Sequence, residues 1–169
     1  LLLLDFGAEY EYYASDLSRT IPVNGRFTEK QKKFYKATLN VFKEIKKNLK
    51  PGITINELNR LTLQIMKEEH IKLGLYSERE FNEKGESLIK RYFPHGISHF
   101  LGLDVHDVGY KDEIFKQGMV ITIEPGIYIM EEKMGIRIEN DILITEEGNV
   151  DLMEDVPIEI EEIENLMNK

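Results

Sequence analysis

The chain opens on four leucines, Leu1 to Leu4, that run into Asp5 and break at Gly7 and Ala8, the pattern of a buried strand entering a turn. A tyrosine-rich return through Tyr10, Tyr12 and Tyr13 leads past Asp16 to Pro22, so residues 1 to 23 are expected to form a β-hairpin with its tyrosines packed. The apolar period then lengthens. Thr28 with Gln31 is a capping-box pair, and Phe34, Thr38, Val41, Phe42, Ile45 and Leu49 recur at helical spacing until Pro51-Gly52 ends the run. Thr54 with Glu57 opens a second helix, with Leu58, Leu61, Ile65 and Ile71 on its apolar face and a stop near Gly74. His70, set among Lys67, Glu68 and Glu69, reads as a surface residue of that helix. The segment from Ser77 to Tyr92 is expected to be partly helical, with Gly85 speaking against one continuous helix.

From Pro94 the period shortens to two. In Met119 to Glu124 the apolar Met119, Ile121 and Ile123 alternate with Val120, Thr122 and Glu124, and Pro125-Gly126 breaks the run. In Ile136 to Thr145 the isoleucines 136, 138, 142 and 144 share one face, while Arg137, Glu139 and Asp141 share the other. The chain ends on a helical pattern, Ile160, Ile163, Leu166 and Met167, with Pro157 expected as its first helical residue. Strands, then helices, then strands predict an α+β domain with helices on one side of an antiparallel sheet.

Length and composition narrow the class. At 169 residues there is room for one domain with a sizeable core. A net charge of −9 speaks against nucleic acid or an anionic membrane surface as partner, and Lys43, Lys46 and Lys47 are interspersed with Glu44 and apolar residues as on a solvated helix face. There is no cysteine, hence no disulfide framework or thiolate metal site. No stretch approaches a membrane span, and the opening leucines lack the preceding basic segment of a signal peptide. Cytoplasmic residence is the expectation. Because the chain begins without Met and within a strand pattern, residues 1–169 are expected to be the C-terminal portion of a single catalytic domain, a fragment of a longer chain.

Five side chains beside strand or turn signals then carry the candidate chemistry: Asp5, Asp16, His99, Glu124 and Glu139. The donor set is dominated by oxygen, which suits a hard or borderline divalent ion such as Mn²⁺, with Co²⁺ or Zn²⁺ as alternatives. Four carboxylates carry four negative charges that two divalent ions cancel. A two-metal site lowers the pKa of a bound water from about 15.7 towards about 7 and polarises a carbonyl, so amide hydrolysis is the natural reaction. The segment HGISHFLGLDVHD adds His95 and His106, and Asp104 and Asp107 around His106 read as turn residues.

Four ordered runs, DFGAEYEYYASDLSRTIPVNG, FPHGISHFLGLDVHDVG, ITIEPGIYI and GIRIENDILIT, together resemble the pita-bread metallopeptidases, in the aminopeptidase P and prolidase branch. That resemblance implies the α+β pita-bread (creatinase/aminopeptidase) fold, a strongly curved antiparallel sheet with outer helices, here without the family's N-terminal part. It implies that Asp5 binds one ion through both oxygens, that Asp16 and Glu139 bridge two ions, and that His99 and Glu124 complete the shell. Glu124 would also shuttle the proton from water to the leaving amine. His106 would hydrogen-bond the scissile carbonyl, His95 would line a pocket for the proline after the cleaved bond, and Arg137 would orient the carboxylates.

The implied activity is hydrolysis of the bond between an N-terminal residue and a following proline, by a protein that is a homo-oligomer, a dimer, in its full-length form. A prolidase restricted to dipeptides is the nearest rival, and a non-catalytic peptide-binding module with the same fold is the rival from another class.

Overall fold

Every strand pair in the computed structural model, which describes residues 1–169, is antiparallel. The N-terminal hairpin pairs β1 (Leu2–Phe6) with β4 (Leu17–Ile21), Asp5 lying opposite Ser18. Its turn is not at Gly7-Ala8 as the sequence suggested. A smaller hairpin, β2 (Glu9–Tyr10) and β3 (Tyr13–Ala14), is inserted there, turning at Glu11 and Tyr12, both with positive φ. Two other expectations fail in this region. Leu2 and Phe6 are 44% and 55% exposed, so β1 is not a buried strand, and Tyr10 and Tyr12 project from the inserted hairpin into solvent instead of packing.

Both capping boxes form. Thr28 and Gln31 exchange side-chain and backbone hydrogen bonds at the start of α1 (Glu29–Asn48), as do Thr54 and Glu57 at α2 (Ile55–Lys72). The face of α1 is the one the spacing predicts: Phe34, Thr38, Val41, Phe42, Ile45 and Leu49 are all buried. The face of α2 is rotated. Its deepest residues are Leu58, Thr62, Met66 and His70, spaced by four, whereas Leu61, Ile65 and Ile71 are partly buried flanks. His70 is therefore a core residue, with its ring against Tyr76 and Tyr92. The charged Glu68, two residues earlier, points the other way around the helix. Gly85, at φ +61°, separates α3 (Glu78–Lys84) from α4 (Ser87–Tyr92).

The remaining strands are β5 (Val120–Ile123), β6 (Gly126–Ile129), β7 (Met134–Arg137), β8 (Asn140–Ile144) and β9 (Asn149–Asp151). The order β5-β8-β9 and the pair β6-β7 are linked through residues 138–139, where the single strand read from Ile136 to Thr145 is interrupted. At that break Glu139 leaves β8 and pairs with Ser18 of β4, its N–H donating to the Ser18 carbonyl at 3.0 Å. The interruption thus joins the N-terminal hairpin to the rest of the sheet. Ile121, Ile123, Ile127, Ile136, Ile138, Ile142 and Ile144 form one core with the inner faces of α1 and α2, so the helices cover one face of the sheet and leave the other for polar residues.

The last helix, α5 (Ile160–Met167), starts three residues after Pro157, and Glu159 caps it. Ile160 and Ile163 are buried, but Leu166 and Met167 are exposed. Lys43 and Lys46 are not merely solvated: they pair with Glu159 at 2.5 Å and with buried Asp151 at 2.8 Å, tying α1 to the C-terminal segment. No helix is long and apolar enough to cross a membrane.

Candidate metal centre

Strand register assembles the acids. Asp5 faces Ser18 across β1 and β4, and Ser18 faces Glu139, so the three lie in one row over three neighbouring chain segments. Asp16 enters just before β4, and its N–H is held by the Asp141 carboxylate at 3.0 Å. Glu124 follows β5. His99 comes from residues 97–101, which run beside β5: Glu124 N–H donates to the Ile97 carbonyl, Thr122 N–H to that of His99 and Leu101 N–H to that of Val120. On the far side, the Asn59 side chain of α2 accepts the Ile97 N–H at 3.1 Å. The loop carrying His95 and His99 is thereby fastened to a strand and to a helix.

Potential ligand atoms of Asp5, Asp16 and Glu139 lie within 4.8 Å of one another, as do those of His99, Glu124 and Glu139, and those of Asp16, His99 and His106. All five residues proposed as ligands therefore converge. The His99 ring is oriented by its Nδ1–H, which donates to the Phe100 carbonyl at 3.0 Å. Its Nε2 faces carboxylate oxygens of Asp16 at 3.5 Å, Glu139 at 3.8 Å and Glu124 at 3.9 Å. These separations are too long for good hydrogen bonds, and a ring nitrogen facing three carboxylates is a donor set suited to a divalent cation that displaces its proton. The residues fit such an ion.

The electrostatics agree. Burial, joined by the charge of Glu124, pushes the Glu139 carboxyl up to about 8. Burial also raises Glu124 to about 7, against the pull of His99 and Arg137. Burial opposes charge on His99, but Asp16, the Phe100 carbonyl, Glu124 and Glu139 together lift it to about 9. Asp16 shows the converse, burial being outweighed by His99 so that its carboxyl is lowered. Crowded, desolvated carboxylates hold protons that a cation would displace.

Arg137 is placed as its strand face predicted. It donates to Asp5 Oδ2 at 2.5 Å and to Ser18 Oγ at 2.9 Å, and its Nη1 approaches the Tyr128 hydroxyl at 3.4 Å. His95 donates from Nδ1 to the Gly96 carbonyl and accepts the Tyr128 O–H at Nε2, both at 2.8 Å, so its tautomer is fixed. Burial lowers its pKa. His106 sits on the exposed loop after Gly102, its ring centroid 4.3 Å from that of His99. Asp107 behaves as a turn residue, accepting the Leu103 and Val108 N–H groups.

Sequence reading missed Ser18, Asn59, Tyr128 and Asp141. Tyr128 had a signal: it lies opposite Gly135, and a Cβ on Gly126 or Gly135 would come within 2.5 or 2.9 Å of its side chain. Both glycines keep that space open for the ring.

Comparison with known proteins gives a consistent picture. Residues 1–146 match the model of metallopeptidase family M24. The chain is 41% identical over 180 residues to the Xaa-Pro aminopeptidase of Haemophilus influenzae, aligning 99% of this chain with 42% of that protein. It is 34% identical over 209 residues to the Xaa-Pro dipeptidase of Mus musculus, again aligning 99% of this chain with 42% of that protein. Among solved structures, zinc-substituted Escherichia coli aminopeptidase P in complex with product superposes with a TM-score of 0.90 at 40% identity, covering 98% of this chain and 40% of that one. The chain thus spans about two fifths of the length of these relatives.

Proposed function

The chain belongs to metallopeptidase family M24, and on that premise we propose that it forms the metal-binding part of an Xaa-Pro aminopeptidase that holds two divalent ions, Mn²⁺ foremost. The observation that carries this reading is the convergence of Asp5, Asp16, His99, Glu124 and Glu139 in overlapping ligand groups that share Glu139, Asp16 and His99. Shared ligands support a pair of ions, which Asp5, Asp16, His99, Glu124 and Glu139 would hold. Such ions supply Lewis acidity to a water and to a carbonyl oxygen.

The chain's own residues divide the remaining tasks. Glu124, in one ligand group with His99 and Glu139, would take a proton from the attacking water and give it to the departing amine. His106, on the exposed loop beside His99, donates to the carbonyl oxygen as charge develops there. His95, neutral and locked by Gly96 and Tyr128, offers a flat ring face for a proline side chain. Arg137 orients Asp5 by a charge-assisted hydrogen bond.

Similarity to the mouse Xaa-Pro dipeptidase favours a prolidase as the second reading. Cleavage assays on Xaa-Pro dipeptides and Xaa-Pro-Yaa tripeptides by the full protein with Mn²⁺ separate the two. Turnover of tripeptides is the expected result. Activity on dipeptides alone would move the assignment to a prolidase, and metal-free protein without turnover would favour a peptide-binding module.

A further inference from the structure

Between Arg137 and Glu139 stands one small hydroxyl. Ser18 is fully buried at the middle of the row formed by Asp5, Ser18 and Glu139. Its Oγ is 2.6 Å from Glu139 Oε2 and 2.9 Å from Arg137 Nε. The direction of these bonds is forced. A guanidinium Nε–H can only donate, so Ser18 accepts from Arg137, and the one hydroxyl proton is donated to Glu139 in its ionised, ligating form. With the hydroxyl in place Arg137 Nε stands 3.8 Å from Glu139 Oε2, outside direct hydrogen-bond range, so Ser18 bridges the two.

We infer that Ser18 is a positioning residue that keeps the guanidinium off the shared metal-ligand carboxylate. Arg137 and a buried glutamate in contact form the strong forked pair that consumes carboxylate lone pairs. The interposed hydroxyl uses one lone pair of Oε2, leaves Oε1 facing His99 Nε2, and directs the guanidinium to the more exposed Asp5. The position also limits size. Directly paired residues of neighbouring strands stand only about 5 Å apart, so a longer polar side chain here would crowd the acids on either side.

The inference rests on the two-ion reading above, and the test separates their failures. Mn²⁺ affinity is measured by calorimetric titration of the metal-stripped full protein, alongside its thermal unfolding, for the wild type, Ser18→Ala and Ser18→Thr. Loss of an outer partner of a metal ligand typically weakens metal binding by about 10- to 100-fold, and that loss is expected for Ser18→Ala. Its metal-free melting temperature is expected to stay at the wild-type value, because Arg137 then closes directly on Glu139. Ser18→Thr keeps the hydroxyl and should recover affinity. Equal affinity of Ser18→Ala and wild type would overturn the inference while leaving the metal reading intact. So would lost affinity in Ser18→Ala accompanied by a fall in metal-free stability and no recovery in Ser18→Thr. A wild type that takes up no Mn²⁺ would overturn the metal reading and the inference with it.

Discussion

Burial lowers the His70 imidazole from 6.5 to about 4, because the ring sits out of water against Tyr76 and Tyr92. A group depressed in the folded state binds its proton more readily when unfolded. Stability from this residue is therefore complete above about pH 6.5 and is lost as pH falls towards 4, by about 3 kcal/mol in all. Denaturation of His70→Phe should show a shallower loss of stability across that window than the wild type. A second titration concerns Glu124 and Glu139, raised to about 7 and about 8. Both must be ionised, and His99, lifted to about 9, must be neutral to bind metal, so metal uptake at pH 7 should release protons, and affinity should fall as pH drops below about 9. Calorimetry in two buffers of different ionisation enthalpy measures that release. The five ligand candidates were legible in the sequence because Asp5 and Glu124 end apolar runs and because all five lie in ordered runs that resemble the family's. Ser18 and Tyr128 were not, since their roles come from register between segments more than a hundred residues apart in one case and from glycine-made space in the other.

At the scale of elements, capping boxes and helical period fixed α1 and α2 to within a residue or two, because those signals are local. The break at residues 138–139 was hidden because it is imposed from outside, by pairing of Glu139 with Ser18. The rotation of α2 likewise follows from what packs on it: an apolar count favours Leu61 and Ile65, whereas the deep positions include Thr62 and His70. α2 also reaches the site through Asn59, which accepts the Ile97 N–H between His95 and His99. Asn59→Ala leaves that N–H unpaired and is expected to cost about 1–3 kcal/mol of stability, while Asn59→Asp, which keeps an acceptor, should recover most of it. Chemical denaturation of both variants checks this.

For the whole molecule, the joint that matters is between the two ends of the chain. Arg19, nearly fully buried, donates to the carbonyls of Ser18 and Glu139 at 2.9 Å each and to those of Pro157 at 2.9 Å and Val156 at 3.4 Å. One guanidinium thus fastens the segment before α5 to the backbone under the acids. Arg19→Met should speed amide hydrogen exchange in residues 152–167 and lower stability by at least about 3 kcal/mol, as lost charged hydrogen bonds do. The antiparallel α+β architecture was legible from the change of period near Pro94, but this joint was not, since no pattern in either segment points to the other.

Whether the acids enclose two ions is best decided by metal content per chain in the full protein after Mn²⁺ loading, read by elemental analysis together with electron paramagnetic resonance, in the wild type and in Glu139→Ala. Two ions with a spin-coupled spectrum in the wild type, and at most one uncoupled ion in Glu139→Ala, is the expected result. A single ion or none in the wild type, or two tightly bound ions in Glu139→Ala, would contradict it.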